Sequence, residues 1–382
     1  MGIVEFTEEQ LMIKSVARDF AENEIKSIAA HLDRRSEFPV EILQNMSELG
    51  FMGIYVPEQY GGGGMDVLSY ILALEEISKA CASTGTIMSV NNSLVCDPLL
   101  NFGSIEQKEE YLIPLAKGEK LGCFALSEPS AGSDVSSIRT QAKRDGDRYI
   151  ITGTKKWITN GPEADVIILF AKVSLPGGND GITAFIVDKE TPGLTVGKLD
   201  HKLGIKASST SQLVFDECHV PIENRLGDEG DGFTIAMKTL DGGRIGIAAL
   251  AVGIAQAAFE ESLKYAKERE AFKQPISNFQ AIQFMLADMA LKIEASRLLV
   301  MKAAMMKDKK MKYSKSSSMA KLFASETAMW VTTKAIQIHG CYGYTTEYSV
   351  ERHFRDAKVT EIYEGTSEIQ RVLIARSLLS EN

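Results

Sequence analysis

The stretch Phe124-Ala125-Leu126-Ser127-Glu128-Pro129-Ser130-Ala131-Gly132-Ser133-Asp134 divides the chain into two textures. Before it, to about residue 120, the sequence reads as helices broken by short loops. Leu11, Val16, Phe20 and Ile25 recur at roughly helical spacing, and Val67, Tyr70, Ile71 and Leu74 do so again. Thr7-Glu8-Glu9-Gln10 has the form of a capping box at the first helix. Gly61-Gly62-Gly63-Gly64 follows no apolar strand and leads to no Gly-Lys-Ser/Thr, so it reads as a loop between helices, not a phosphate cradle. After the dividing stretch, to about 225, the period shortens. Residues 148–152, 166–173, 182–187, 194–198 and 212–215 are β-branched or aromatic runs separated by Gly, Pro, Asn and Asp. That is the pattern of an antiparallel sheet or small barrel.

Beyond 226 the helical period returns. Ile282, Leu286, Met289 and Ile293 form one apolar face, and Ala320, Phe323, Thr327, Trp330 and Val331 begin another. The prolines agree: of 10, only Pro275 falls in residues 222–382, as expected where proline would break helices. Helix, strand, helix is the organisation, α+β and mainly α. A chain of 382 residues holds two or three such units at roughly 100–200 residues per domain.

Composition narrows the function. Hydrophobic residues make up 45% and charged residues 24%, an ordinary globular balance, and 51 acidic against 42 basic residues leave a net charge of −9. The single lysine cluster (307, 309, 310, 312 and 315) reads as a solvated helix end, so no nucleic-acid partner is expected. The five cysteines are scattered, which suits a reducing compartment, and no CxxC, HExxH or EF-hand spacing suggests a metal. The apolar stretch 245–259 is shorter than the ~20 residues that cross a bilayer, and its Gly and Ala suit close helix packing. With neither a signal nor a transit pattern at the N-terminus, the expectation is a cytoplasmic protein with no membrane span.

Four segments could carry chemistry, each with an ordinary alternative. The dividing stretch offers small residues and hydroxyls to a planar or phosphate-bearing ligand, or is simply a capped turn. In Lys156-Trp157-Ile158-Thr159-Asn160-Gly161, alternation puts Trp157 and Thr159 on one face, able to flank a flat cofactor; the commoner fate of such a Trp is the barrel core. In Glu361-Ile362-Tyr363-Glu364-Gly365-Thr366-Ser367-Glu368, a carboxylate held among apolar groups would gain basicity and act as a general base. The same segment also suits a helix start capped by Thr366 or Ser367. Asp241-Gly242-Gly243-Arg244, before an apolar helix, could meet a phosphate-bearing ligand, or Arg244 could pair with Asp241.

Together these segments resemble the acyl-CoA dehydrogenase family, in order and over nearly the whole chain. Residues 125–134 are similar to one family signature and Trp157-Ile158-Thr159-Asn160 to its flavin-flanking strand. Gln337-Ile338-His339-Gly340-Cys341-Tyr342-Gly343-Tyr344, running on to Arg355-Asp356-Ala357-Lys358, is similar to the second signature, and Tyr363-Glu364-Gly365-Thr366 to the catalytic segment. Residues 90–94 and 239–248 look most like short-chain (butyryl) members.

The resemblance implies an N-terminal helical domain (1–120), a middle antiparallel β-barrel-like domain (121–225) and a C-terminal four-helix bundle (226–382), assembled as a homotetramer. It implies FAD as cofactor, oxidation of an acyl-CoA to the trans-2-enoyl-CoA, and an electron-transfer flavoprotein as acceptor. Glu364 would take the α-proton while flavin N5 takes the hydride, the thioester carbonyl being polarised by the Glu364 amide and a ribityl hydroxyl. Some relatives carry the base at the position of Gly243. Phe124, Leu126 and Ser127 would meet the flavin pyrimidine edge, Ser133 the pyrophosphate or CoA chain, and Trp157 and Thr159 the isoalloxazine. Arg269, Phe272, Gln280 and Gln337, with Gly340 and Cys341, would reach a neighbouring subunit's FAD, and Thr366 and Glu368 the adenosine half. Asp241 and Arg244 would meet CoA, with Tyr363 and Gly365 beside the thioester. Ile87 and Met88 would line the pocket floor, their bulk favouring short chains, and Asn91 would help shape its wall.

Two residues depart from the family pattern: Cys341 and Lys273 each stand where glycine is usual. Branched or alicyclic thioesters such as cyclohexanecarboxyl-CoA, an acyl-CoA oxidase, and a non-catalytic binding protein of the same fold are the alternatives.

Overall fold

The computed structural model describes residues 5–175 and 178–380. Helix α1 (Glu8–Phe20) starts at a capping box in which Thr7 and Gln10 bond each other reciprocally. Its inward face is Gln10, Ile13, Ala17 and Phe20, while Leu11 and Val16 point to solvent, contrary to expectation. A five-residue step from 11 to 16 leaves the face of a 3.6-residue helix. The equal step from Phe20 to buried Ile25 stays inward because residues Ala21–Ile25 form a wider π turn.

Short α2 (Ala29–Arg35) and α3 (Val40–Glu48) lead through the glycine loop to α4 (Val67–Ala80) and α5 (Ala82–Ser89). A π-helical turn, Val90–Cys96, joins α5 to α6 (Asp97–Phe102), followed by α7 (Ile105–Gln107) and α8 (Ile113–Ala116). This first helical region does not own a separate core. Ile71, Leu74 and Ile77 of α4 pack into one cluster with Ala248, Val252 and Ala255 of the long helix α9 (Gly232–Glu268). By length and composition α9 could cross a bilayer, but 89% of its most apolar stretch is buried inside the protein. It packs against α10 (Gln280–Asp308) and α11 (Ser314–His339), with α12 (Val350–Thr360) and α13 (Ser367–Ser380) closing on α11. The expected faces hold in part: Met289, Ile293, Ala320, Thr327 and Val331 are buried, whereas Phe323 is exposed.

Between the helical regions lies one eight-stranded sheet, ordered β6-β7-β3-β2-β4-β5-β8, with β1 beside β4. The strands are β1 (Gly122–Ala125), β2 (Gln141–Asp145), β3 (Arg148–Thr159), β4 (Val166–Ser174), β5 (Asp180–Asp188), β6 (Leu194–Leu199), β7 (Thr210–Pro221) and β8 (Arg225–Leu226). The sheet is mixed, not antiparallel throughout: β1 runs parallel to β4, Gly122 opposite Val166. A parallel partner needs a long crossover, and residues 126–165 with the β2–β3 hairpin supply it. The run Val166–Ala171 is apolar without alternation because both its faces are covered. Ile168 and Phe170 meet the N-terminal helices, while Ile167 and Leu169 face Tyr149 and Phe215.

Candidate active site

Glu364 sits in the turn between α12 and α13 with φ 53°, in the left-handed region where a non-glycine residue needs support. The support is dense. Lys321 Nζ donates to the Gly365 carbonyl at 2.7 Å, and Gln370 Nε2 donates to the same oxygen at 2.9 Å and to the Glu364 carbonyl at 3.3 Å. Thr366 caps α13, its hydroxyl accepting from Ile369 N at 3.3 Å. The Glu364 N–H, in contrast, has no acceptor among the described residues.

The residue is partly exposed, yet its Oε2 is sealed from solvent and has no hydrogen-bond partner among the described residues. Burial pushes the carboxyl up to about 7, with the Lys321 and Arg244 cations pulling against it. Lys321 is itself fully buried, and burial brings its ammonium down to about 8 against the attraction of Glu364. The Tyr70 hydroxyl, bonded to Ser89 Oγ at 3.1 Å, also lies within electrostatic reach of Glu364.

Asp241-Gly242-Gly243-Arg244 lies inside α9, not ahead of it. A mid-helix glycine costs about 1 kcal/mol relative to alanine, and Gly243 shows why the helix carries one. A Cβ there would lie 2.2 Å from Glu364 Oε2 and 2.8 Å from Leu94 Cδ2. Position 243 and the carboxylate thus occupy adjoining space. Arg244 pairs with Asp241, which also accepts from Ser314 Oγ at 2.9 Å. Arg244 is only 4% exposed and lies within electrostatic reach of Glu364.

A second group of residues surrounds the dividing loop. Glu128 accepts from Arg139 N (2.6 Å), Thr140 N (3.0 Å), Thr140 Oγ1 (2.6 Å) and Lys155 Nζ (2.8 Å). Lys155, fully buried, also donates to the Leu126 carbonyl at 3.0 Å, and Lys156 N to the Ser127 carbonyl at 2.9 Å. The loop is therefore riveted to β3. Trp157 is not in the barrel core: a bulge between Lys155 and Ile158 puts it at φ 64° and leaves it 60% exposed. Lys156 stacks over the indole at 4.7 Å while bonding Asp200 at 2.5 Å. Thr159 and Phe124 are half-buried, Leu126 is buried, and the Ser133 hydroxyl is exposed with no partner among the described residues.

Other expected residues fall elsewhere. Ile87 and Met88 are fully buried in α5. Asn91 does not form a pocket wall: it donates to the Met52 and Leu115 carbonyls (2.9 and 3.1 Å) and accepts from Gly122 N (3.1 Å). Together with Asn92, which caps Ile54 N and the Phe51 carbonyl, it staples the helices to the sheet. Arg269, Phe272, Gln280, Gln337, Gly340 and Cys341 all lie on the exterior, Phe272 being 89% exposed and Arg269 stacked 5.7 Å over Tyr342. Glu368 is likewise exposed, and Thr366 and Gly365 are half-buried.

Lys321 and the Glu128–Lys155 pair were missed by pattern reading. Lys321 had a signal, because it falls on the same helical stripe as Ser317, Ala324, Ala328 and Val331, all buried. A lysine on a buried stripe demands a buried acceptor.

The three consecutive regions match three family models: "Acyl-CoA dehydrogenase, N-terminal domain" over residues 7–119, "middle domain" over 123–218 and "C-terminal domain" over 230–379. The chain belongs to the acyl-CoA dehydrogenase family. It is 54% identical to the mitochondrial short-chain specific acyl-CoA dehydrogenase of Mus musculus, covering 98% of this chain and 91% of that one. The butyryl-CoA dehydrogenase of Megasphaera elsdenii superposes with a TM-score of 0.97 at 46% identity, over 99% of this chain and 100% of that one. A chain from a study of the electron transferring flavoprotein of Acidaminococcus fermentans and flavin-based electron bifurcation superposes with a TM-score of 0.97 at 50% identity, over all of both chains.

This acyl-CoA dehydrogenase is an FAD-dependent oxidoreductase. Its own residues fit that cofactor. An exposed indole held at positive φ, the half-buried Thr159 beside it, and a rigid loop with an unspent Ser133 hydroxyl suit a flat, phosphate-bearing group.

Proposed function

We propose that this acyl-CoA dehydrogenase oxidises a short-chain acyl-CoA, with butyryl-CoA as the reference substrate, to the trans-2-enoyl-CoA, Glu364 being the base. The observation that carries this reading is the unpartnered Oε2 of a carboxyl poised near neutrality. A general base works best with a pKa near the operating pH, and this one has no competing donor to displace. FAD, when bound, supplies the acceptor for the hydride leaving Cβ.

The remaining work belongs to the chain. The free N–H of Glu364 donates to the thioester carbonyl as charge develops on its oxygen, an oxyanion-type contact that acidifies the α-carbon. Lys321 holds the Gly365 carbonyl and keeps the carboxyl from rising further, while Gly243 leaves the carboxylate its space. Trp157 and Thr159 orient the cofactor, and Phe124, Leu126 and Ser127 border it on the loop held by Lys155. Preference for short acyl chains rests on the buried Ile87 and Met88 and on the named relatives.

Electrons then pass to an electron-transfer flavoprotein. The active assembly is a homotetramer, a reading supported by the exterior placement of Arg269, Phe272, Gln280 and Gln337, which leaves them open to a cofactor held by a neighbouring subunit.

Anaerobic titration of the FAD-loaded protein with acyl-CoAs of increasing length tests the reading. Butyryl-CoA is expected to bleach the flavin most completely. Glu364→Gln is expected to hold FAD and fail to bleach, and normal bleaching in that variant removes the base assignment.

A further inference from the structure

The connection between β6 and β7, residues 200–209, carries a backbone that its sequence does not favour. Ile205 is the only β-branched residue at positive φ among the described residues, at 49°, where such a side chain is a genuine steric outlier. The chain holds it there by three contacts with α12. Its N–H donates to Asp356 Oδ1 at 2.6 Å. Gly204 lies so close to the helix that a Cβ would stand 2.3 Å from the Arg355 carbonyl oxygen and 2.6 Å from Asp356 N. Arg355 Nη1 donates to the Leu203 carbonyl at 3.2 Å, while the same guanidinium pairs with Asp33 of α2. Asp356 is 3% exposed, and Arg352 and His353 of its own helix offset its charge. The Ile205 side chain leaves the sheet altogether. Among the described residues of 122–226, it alone belongs to the core shared by the helical regions.

Both ends of this clamp lead to site residues. On the sheet side, Asp200 bonds Lys156 at 2.5 Å, and its N–H donates to the Thr210 carbonyl at 2.9 Å. Thr210 is the partner of Thr159 across β7 and β3, and Asn160 N donates to the Ser209 carbonyl at 3.0 Å. The loop is thus continuous with the strand that carries Trp157 and Thr159. On the helix side, α12 runs from Val350 to Thr360, directly before the turn that holds Glu364. Tyr363 N still donates to the Val359 carbonyl at 3.0 Å, so the turn follows the helix.

Strain of this kind persists only where the surroundings over-determine it, and it clusters where geometry matters for function. We propose that Ile205 and Asp356 form a positioning clamp that fixes strand β3 against α12 and so sets the placement of the flavin relative to Glu364. Both are positioning residues, acting through Trp157 and Thr159 on one side and the Glu364 turn on the other. The clamp rests on the reading of Glu364 as base and of Trp157 and Thr159 as flavin contacts. Proton removal and hydride transfer draw on different supports for the same substrate, so a shift between the supports costs rate with both groups intact.

The test uses the FAD-loaded protein and two probes. Anaerobic bleaching by butyryl-CoA needs the base and the flavin in register. Exchange of the α-hydrogens of 3-thiabutyryl-CoA in deuterium oxide needs the base, but no hydride can leave because sulfur replaces Cβ. Asp356→Ala is expected to hold FAD and lose about tenfold or more in bleaching rate, since a misplacement of about 1 Å costs up to about 10²-fold. Its exchange rate is expected to stay near that of the wild type. Asp356→Asn keeps an oxygen for the Ile205 N–H and is expected to restore bleaching. Gly204→Ala, whose methyl pushes the loop off α12, is expected to show the same split and decides the matter where Asp356→Ala does not fold. Bleaching and exchange that fall together overturn the proposal, as does a lower thermal midpoint with both rates unchanged. Bleaching as slow in Asp356→Asn as in Asp356→Ala overturns it too. Glu364→Gln keeps the two readings apart. It is expected to lose exchange as well as bleaching, and exchange at the wild-type rate there removes the base assignment and the clamp with it. A failure confined to the Asp356 and Gly204 variants overturns the clamp alone.

Discussion

The turn carrying Glu364 and the hairpin carrying Phe272 and Lys273 pose the same backbone problem and solve it differently. Both place non-glycine residues at positive φ: Glu364 at 53°, Phe272 at 51° and Lys273 at 64°. Around Glu364 the chain supplies its own restraint, through Lys321, Gln370 and the Thr366 cap. Around Phe272 it supplies little beyond the two-residue pairings of β9 (Glu270–Ala271) with β10 (Gln274–Pro275) and the edge contact of Phe272 with Phe279. The strain at the proposed base is fixed from within one chain. Strain at the exterior hairpin has little support from the rest of the described chain.

The sharpest way to break this comparison is to remove the interior carboxylate. Glu364→Gln is expected to cut turnover by about 10²–10⁴-fold, the range for a lost general base, with FAD retained. Steady-state rates on butyryl-CoA together with the flavin spectrum decide it. A smaller loss is expected from Gly243→Ala, whose methyl would stand where Glu364 Oε2 lies. A displaced base of this kind costs up to about 10²-fold in rate, read in kcat with the flavin content unchanged.

Third comes Lys321→Met, whose signature is a pH profile. The wild-type kcat/KM is expected to rise with pH through about 7 as Glu364 loses its proton. Lys321 lowers that value, so its removal moves the rise to higher pH and depresses activity most on the acid side. An unshifted profile would leave Lys321 only its bond to the Gly365 carbonyl. The smallest effect belongs to the exterior. Lys273→Gly relieves a left-handed residue, worth about 1 kcal/mol, and should raise the thermal midpoint slightly while leaving kcat alone. Cys341→Gly gains no such relief, because Cys341 is not in the left-handed region and the residue that needs it, Gly340 at φ 61°, is already glycine.

Much of the fold was legible because it is written in periodicity and in end signals. The Thr7–Gln10 capping box, the proline-poor helical region and the apolar run of β4 are local features, and each is found where its pattern points. β1 and β2 were not legible. The first is four residues long, and the second, Gln-Ala-Lys-Arg-Asp, has four of its five residues exposed and carries no apolar alternation. The exposure of Trp157 was open for a related reason: alternation predicts a face only in a regular strand, and one bulge turns the indole outward, away from the barrel core that is the commoner place for such a residue. Asn91 misled because an amide polar enough to line a pocket is equally able to staple two backbones.

The sequence by itself determined that two helical regions flank a β region, and it marked four segments that could carry chemistry, with a carboxylate followed by glycine as the candidate base. These follow from local propensity and from residue types, which neighbours along the chain suffice to set. Only the tertiary structure decided that Gly243 adjoins that carboxylate, that Lys321 supports it, and that the first and last helical regions share one core. Those facts join residues more than 40 positions apart, and burial and charge act through space, so the raised pKa of Glu364 belongs to no segment of the chain.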